Sequence, residues 1–152
     1  MSKSILVHGS CVALAGRGVL LLGASGAGKS DLALRLIHDG ARLVADDRVV
    51  LTMKGGRVTA SAPTTIAGLI EVRALGIVKL PARTAPLALA VQLGREGARL
   101  PDAQSWTPDG LKGAQSLPLL HLDGRHASDP AKIALALRAF ARGLFRDTFV
   151  TK

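Results

Sequence analysis

The sequence holds no tyrosine, one tryptophan, three phenylalanines and one cysteine in 152 residues. So few aromatic rings give little from which to build a base-stacking platform, which argues against a nucleic-acid-binding protein. A lone Cys11 excludes an internal disulfide, and with His38, His121 and His126 it shows no metal-ligand spacing. No apolar run approaches the roughly 20 residues of a membrane span. Residues 1–8 carry a single lysine and too short an apolar stretch for a secretion signal. These absences predict a cytoplasmic protein in a reducing compartment, with neither membrane nor nucleic acid among its partners. Positive charge is not scarce: 20 Lys and Arg against 11 Asp and Glu give +9. The arginines are scattered along the chain, so the balance suits anionic partners without specifying which.

With 48% hydrophobic and 20% charged residues, the composition is that of one ordinary globular domain over 1–152. Short apolar segments at 5–8, 11–15, 18–22, 42–45, 48–53, 57–60, 70–73, 75–78, 87–93 and 119–122 predict strands. Lys54-Gly55-Gly56 predicts a hairpin turn. A helix is predicted over 31–38, ending at Asp39-Gly40. A second helix is expected to open at Asp129-Pro130 with Asp129 as N-cap. Its expected apolar face is Ile133, Leu137, Phe140 and Leu144, with Arg138, Arg142 and Arg146 in a separate row. Residues 94–118 are rich in Gly, Pro, Asp, Gln and Ser and predict a long functional or mobile loop.

Gly23-Ala24-Ser25-Gly26-Ala27-Gly28-Lys29-Ser30 fits G-x-x-x-x-G-K-[ST] at every fixed position, between an apolar strand and a helix. The glycines let successive backbone N–H groups face phosphate oxygens, and the helix N-terminus adds positive potential at the same point. Lys29 is expected to reach the outer phosphates, and the Ser30 hydroxyl to ligate Mg²⁺. A purely connecting turn accounts for the glycines but not for the Lys-Ser that follows them. The predicted ligands are therefore ATP and Mg²⁺.

Asp46 and Asp47 close the strand at 42–45. Acids at a strand end, in the same sheet as a phosphate loop, suit phosphoryl transfer. Neighbours on an extended strand face opposite ways, so the two acids are expected to do different work.

Four segments resemble, in order, the bacterial HPr kinase/phosphorylases. They are His8-Gly9, the phosphate loop, Leu43-Val44-Ala45-Asp46-Asp47-Arg48-Val49 and Ile70-Glu71-Val72-Arg73-Ala74-Leu75-Gly76-Ile77. Resemblance is good over about 5–78 and weaker at 122–125 and in the last helix. It implies a fold like the phosphoenolpyruvate carboxykinases: a phosphate-loop α/β kinase domain with mixed, largely antiparallel sheets and few helices. It further implies the catalytic domain alone, without the N-terminal domain of longer members, and a homo-oligomer. The implied reaction is ATP-dependent phosphorylation of a serine of HPr, a small phosphocarrier protein. Phosphorolytic reversal is left open, because residues 99–101 and 122–125 only loosely match the family's corresponding segments. The resemblance implies His8 at the catalytic centre beside Lys29 and Asp47, with Asp47, the second acid of the pair, as the general base and Asp46 as a supporting group, and Glu71 with Ser30 as metal ligand. Arg73 and Arg125 are candidates for holding phosphate or substrate, against the alternative of plain surface arginines. A small-molecule kinase or nucleotide hydrolase, and an ATP-sensing module without turnover, are the competing readings.

Overall fold

A computed structural model describes residues 3–146. The expected 1–152 domain includes residues 1–2 and 147–152, which lie outside those described. Eleven strands and two α-helices are found among the described residues. The strands are β1 (Lys3–His8), β2 (Ser10–Leu14), β3 (Arg17–Leu22), β4 (Arg42–Ala45), β5 (Arg48–Lys54) and β6 (Arg57–Ser61). There follow β7 (Leu69–Val72), β8 (Gly76–Lys79), β9 (Ala85–Leu93), β10 (Ser105–Trp106) and β11 (Leu117–Leu122). The helices are α1 (Lys29–His38) and α2 (Asp129–Arg142). Neither is long and apolar enough to cross a membrane.

The main sheet runs β1-β5-β6-β9-β3-β2-β4, with β11 on the far part of β9 and β10 on β11. β9 is parallel to β3 and to β11, and the other strand pairings are antiparallel. β7 and β8 form a separate hairpin. A mixed, mostly antiparallel α/β architecture with few helices is thus the observed fold, as expected.

Two apolar cores lie on the two faces of this sheet. One takes Val12, Val19, Leu21, Leu32, Leu36, Leu89, Val91, Ile133 and Leu137, and so buries both helices. The other takes Cys11, Ala13, Leu20, Val49, Leu51, Leu87 and Leu111. In β2 and β3 the period-two alternation sends neighbours to opposite cores. β9 breaks that rule. Ala85 and Leu87 face one core, whereas Leu89 and Val91, of the same parity, face the other. A register shift places Gly18 opposite Leu87 but Val19 opposite Leu89, so β9 carries one extra residue there. The extra residue flips the faces, and one strand serves both cores.

Three expectations are corrected. The N-cap of α2 is Ser128, and Asp129 is its first helical residue. Its carboxylate instead accepts the N–H groups of Gly124 and His126 at 2.9 and 3.0 Å. The helix stops at Gly143, whose φ of 63° is the left-handed conformation that glycine adopts freely. Leu144 therefore leaves the apolar face and is exposed, and Arg146 leaves the arginine row. Finally, the segment 94–118 contains β10, which pairs Trp106 with Leu117 and packs that ring against the second core.

Cys11 is fully buried in that second core. Burial pushes its thiol far above the ordinary range, only partly opposed by a backbone hydrogen bond from the Val19 region. A disulfide reagent such as Ellman's should therefore leave the native protein unlabelled at neutral pH. Labelling should appear only as denaturant opens the core, following the loss of far-UV circular dichroism.

Candidate functional site

Residues 23–30, the expected phosphate loop, join β3 to α1. Gly26 and Gly28 have φ of 85° and 98°, a region disfavoured for residues with a Cβ. A Cβ built at either meets nothing within 4 Å, so the glycines edge open space of the kind a phosphate group needs. Gly28 caps α1 by conformation, without a side-chain cap, and the helix N-terminus faces the loop. Lys29 is buried, and its Nζ donates to the Gly23 and Ala24 carbonyls at 2.8 and 2.9 Å. Arg125 reaches in from the segment before α2 and donates to the Gly26 carbonyl at 2.6 Å.

Asp46 is the hub of the site. It is 6% exposed. Its Oδ1 accepts the hydroxyls of Ser30 at 2.7 Å and Ser10 at 2.8 Å, and its Oδ2 accepts the Glu71 N–H at 3.1 Å. One carboxylate thus joins the loop, the start of β2 and the β7–β8 hairpin. Asp47 goes the other way: its side chain is 66% exposed and pairs with His8 Nε2 at 3.1 Å.

The two carboxylates face opposite ways, as the sequence predicts, but for a different reason. The two acids sit in a bend after β4, not on an extended strand. Asp47 has φ 68°, a left-handed value that Asp tolerates better than most residues. The Asp46 carbonyl accepts the Arg48 N–H at 2.8 Å, and the Asp47 carbonyl accepts the Gly9 N–H at 3.0 Å. Gly9 lies so close to β3 that a Cβ would stand 2.7 Å from the Leu21 carbonyl oxygen. That contact explains the His-Gly pair: glycine lets β1 and β2 turn tightly enough to hold His8 over Asp47.

Glu71 reaches the hub through its backbone, and its side chain is exposed. Arg73 lies in the exposed turn between β7 and β8, and no described contact brings it to the loop. Ser10 was missed in the sequence. It is fully buried, donates to Asp46 and accepts the Asp47 N–H at 3.3 Å, so it couples the two acids. Its only trace in the sequence is a hydroxyl inside an apolar run directly after His8-Gly9.

The family model for the HPr serine kinase C-terminal domain matches residues 1–83. That stretch contains His8, the loop, both acids, Glu71 and Arg73, whereas Arg125 lies beyond it. An HPr kinase/phosphorylase of Brevibacillus brevis is 42% identical over 81 residues, which are 53% of this chain and 26% of that protein. One of a Geobacillus species is 39% identical over 110 residues, covering 72% of this chain and 35% of that protein. The matches thus span about a quarter to a third of the relatives' length. The solved HPr(Ser) kinase/phosphatase from Coxiella burnetii superposes with a TM-score of 0.75 at 21% identity, covering 92% of this chain and 98% of that one. This last likeness establishes the shared fold.

Proposed function

The chain belongs to the HPr serine kinase C-terminal domain family, and on that premise we propose that it is a protein kinase transferring the γ-phosphoryl group of ATP to a serine of an HPr-like phosphocarrier. The observation that carries this reading is the Asp46 hub, which fixes the loop serine, Ser10 and the Glu71 backbone around one carboxylate, with the exposed Asp47–His8 pair beside it. A nucleotide sensor needs the loop but has no use for an exposed carboxylate at its edge.

The residues fit both ligands. Open space beside Gly26 and Gly28, the α1 N-terminus and the Lys29 ammonium suit a polyphosphate. Ser30 commits its proton to Asp46, which leaves its oxygen lone pairs for a hard cation. Ser30 and Glu71 are the residues that would hold Mg²⁺. When bound, Mg²⁺·ATP supplies the phosphoryl group and neutralises charge on its oxygens.

The chain's own residues do the rest. Backbone amides of the loop orient the phosphates. Lys29 lies within reach of its own loop and offsets the charge that develops on transfer. Asp47 accepts the proton of the attacking serine hydroxyl, and His8 at 3.1 Å holds that carboxylate in place. Run backwards, a protonated Asp47 would donate to the leaving serine oxygen when inorganic phosphate attacks. Asp46 positions Ser30 and does not touch the reacting atoms. A relationship to the phosphoenolpyruvate carboxykinases, a catalytic domain over 1–152, a cytoplasmic location and assembly into a homo-oligomer belong to the same proposal.

The test is incubation with γ-labelled ATP, Mg²⁺ and HPr, followed by mapping of the label. Label on one HPr serine is expected, lost in Lys29→Ala. Label released only as inorganic phosphate would indicate a hydrolase instead, and nucleotide binding without turnover a sensor. Glu71→Gln should raise the Mg²⁺ concentration needed for half-maximal transfer several-fold, with little effect on melting temperature because the side chain is exposed. An unchanged Mg²⁺ dependence would remove Glu71 from the metal site.

A further inference from the structure

We propose that Glu96, His126 and Asp129 form a second cation site, for a zinc-class divalent metal ion, which clamps the segment 123–126 beside the phosphate loop. One ligand atom from each of the three residues lies within 4.8 Å of those of the other two. A tetrahedral ion with bonds of about 2.0–2.2 Å needs ligand atoms about 3.3–3.6 Å apart. The exposed side chains of Glu96 and His126 are free to supply that small contraction.

The independent observation is Asp129. Its side chain is fully buried, yet its Oδ1 has no hydrogen-bond partner among the described residues. Buried carboxylate oxygens are rarely left so, and each such case needs a reason. The other oxygen, Oδ2, is held by the N–H groups of Gly124 and His126. The carboxylate is therefore already oriented, as metal-binding carboxylates are, with one oxygen to spare.

The surroundings fit a borderline metal ion. His126 Nδ1 stands 3.5 Å from Glu96 Oε1, on the cluster side. Its Nε2 stands 3.7 Å from Asp123 Oδ2. A carboxylate behind the second ring nitrogen is the usual support of a metal-bound histidine. One imidazole with carboxylates favours zinc, cobalt or manganese over magnesium. Lys132 already marks the spot as one for a cation, with Nζ 3.1 Å from Glu96 Oε1 and 3.9 Å from Asp129 Oδ1. The same ammonium holds the Glu96 carboxyl below its ordinary range. A divalent ion would take the place of that ammonium, cation for cation.

The site also has a connection. Arg35 of α1 donates to the carbonyls of Gly124 and His126, and Arg125 donates to Gly26 of the phosphate loop. A metal that fixes His126 and Asp129 would thereby stiffen the segment that touches the loop.

Cobalt(II) is the probe, titrated into the metal-stripped full chain with excess Mg²⁺ present to occupy hard oxygen sites. Stoichiometric binding with visible ligand-field bands of a four-coordinate ion is expected. His126→Ala and Glu96→Gln should each weaken it by about tenfold or more. Lys132→Met should tighten it, since the competing ammonium is gone. Ser30→Ala should leave it unchanged, which separates this site from the nucleotide site. Cobalt should also slow hydrogen exchange over 123–128. The proposal is overturned if Lys132→Met and the parent both fail to bind cobalt, or if binding survives His126→Ala undiminished. Binding without slowed exchange would overturn the clamp.

Discussion

Asp47→Asn is expected to leave the protein folded and able to bind nucleotide while slowing transfer to HPr by about 10²–10⁴-fold. The Asp47 side chain is 66% exposed, and its one described side-chain contact is the 3.1 Å pair with His8. Exposed pairs of this kind contribute little to stability. Asparagine also tolerates the φ of 68° at this position, so the bend after β4 should survive the change. In the proposed mechanism, what the substitution removes is the proton acceptor. A serine hydroxyl holds its proton tightly at neutral pH, and its attack on phosphorus needs a carboxylate to take that proton. Single-turnover transfer, with nucleotide titration and thermal melting alongside, separates these effects. A near-normal rate in Asp47→Asn would end its assignment as the base.

Much of this was legible in the sequence because it is local. The phosphate loop is contiguous, and its glycine spacing and Lys-Ser ending carry their chemistry with them. Strands and α1 follow from short-range periodicity, and Asp46-Asp47 was visible as a pair. The rest depended on distant parts of the chain. Nothing near Ser10 announces that it will meet Asp46, 36 positions away, at 2.8 Å. The hub itself exists only once the hairpin brings the Glu71 N–H against Asp46. The extra residue in β9 is likewise invisible locally, since residues 87–93 read as one apolar strand. The ending of α2 is a different case. Gly143 stood in the sequence as a stop signal, but the spacing of Leu144 and Arg146 hid it. Asp129 shows how a preference can be satisfied in an unexpected way: its carboxylate does accept backbone N–H groups, but those of the segment before the helix rather than the helix's own first turn.

The buried member of the acid pair should behave in the opposite way to its neighbour. Asp46→Asn is expected to destabilise the fold by about 2–3 kcal/mol. The carboxylate accepts three hydrogen bonds and donates none, as an ionised Asp must. An asparagine has one acceptor oxygen and one donor NH₂. If the NH₂ takes the Oδ2 position, it faces the Glu71 N–H, and two donors meet in a buried site. If it takes the Oδ1 position, it faces both serine hydroxyls, which must turn away. Ser10 is hindered in doing so, because its oxygen already accepts the Asp47 N–H at 3.3 Å. Either orientation leaves a buried polar group unsatisfied, at about 1–3 kcal/mol, and replaces charge-assisted bonds with weaker neutral ones. For a chain of this size the melting temperature should fall by about 5–10 °C. Transfer should fall as well, because Ser30 loses the group that fixes its hydroxyl. Ser10→Ala should reproduce part of the loss in stability, since it removes one donor to Asp46 and the acceptor of the Asp47 N–H. Thermal melts of Asp46→Asn, Asp47→Asn and Ser10→Ala, run side by side with single-turnover assays, give the comparison. Should Asp46→Asn melt like the parent while Asp47→Asn is strongly destabilised, the structural and chemical roles of the pair are reversed.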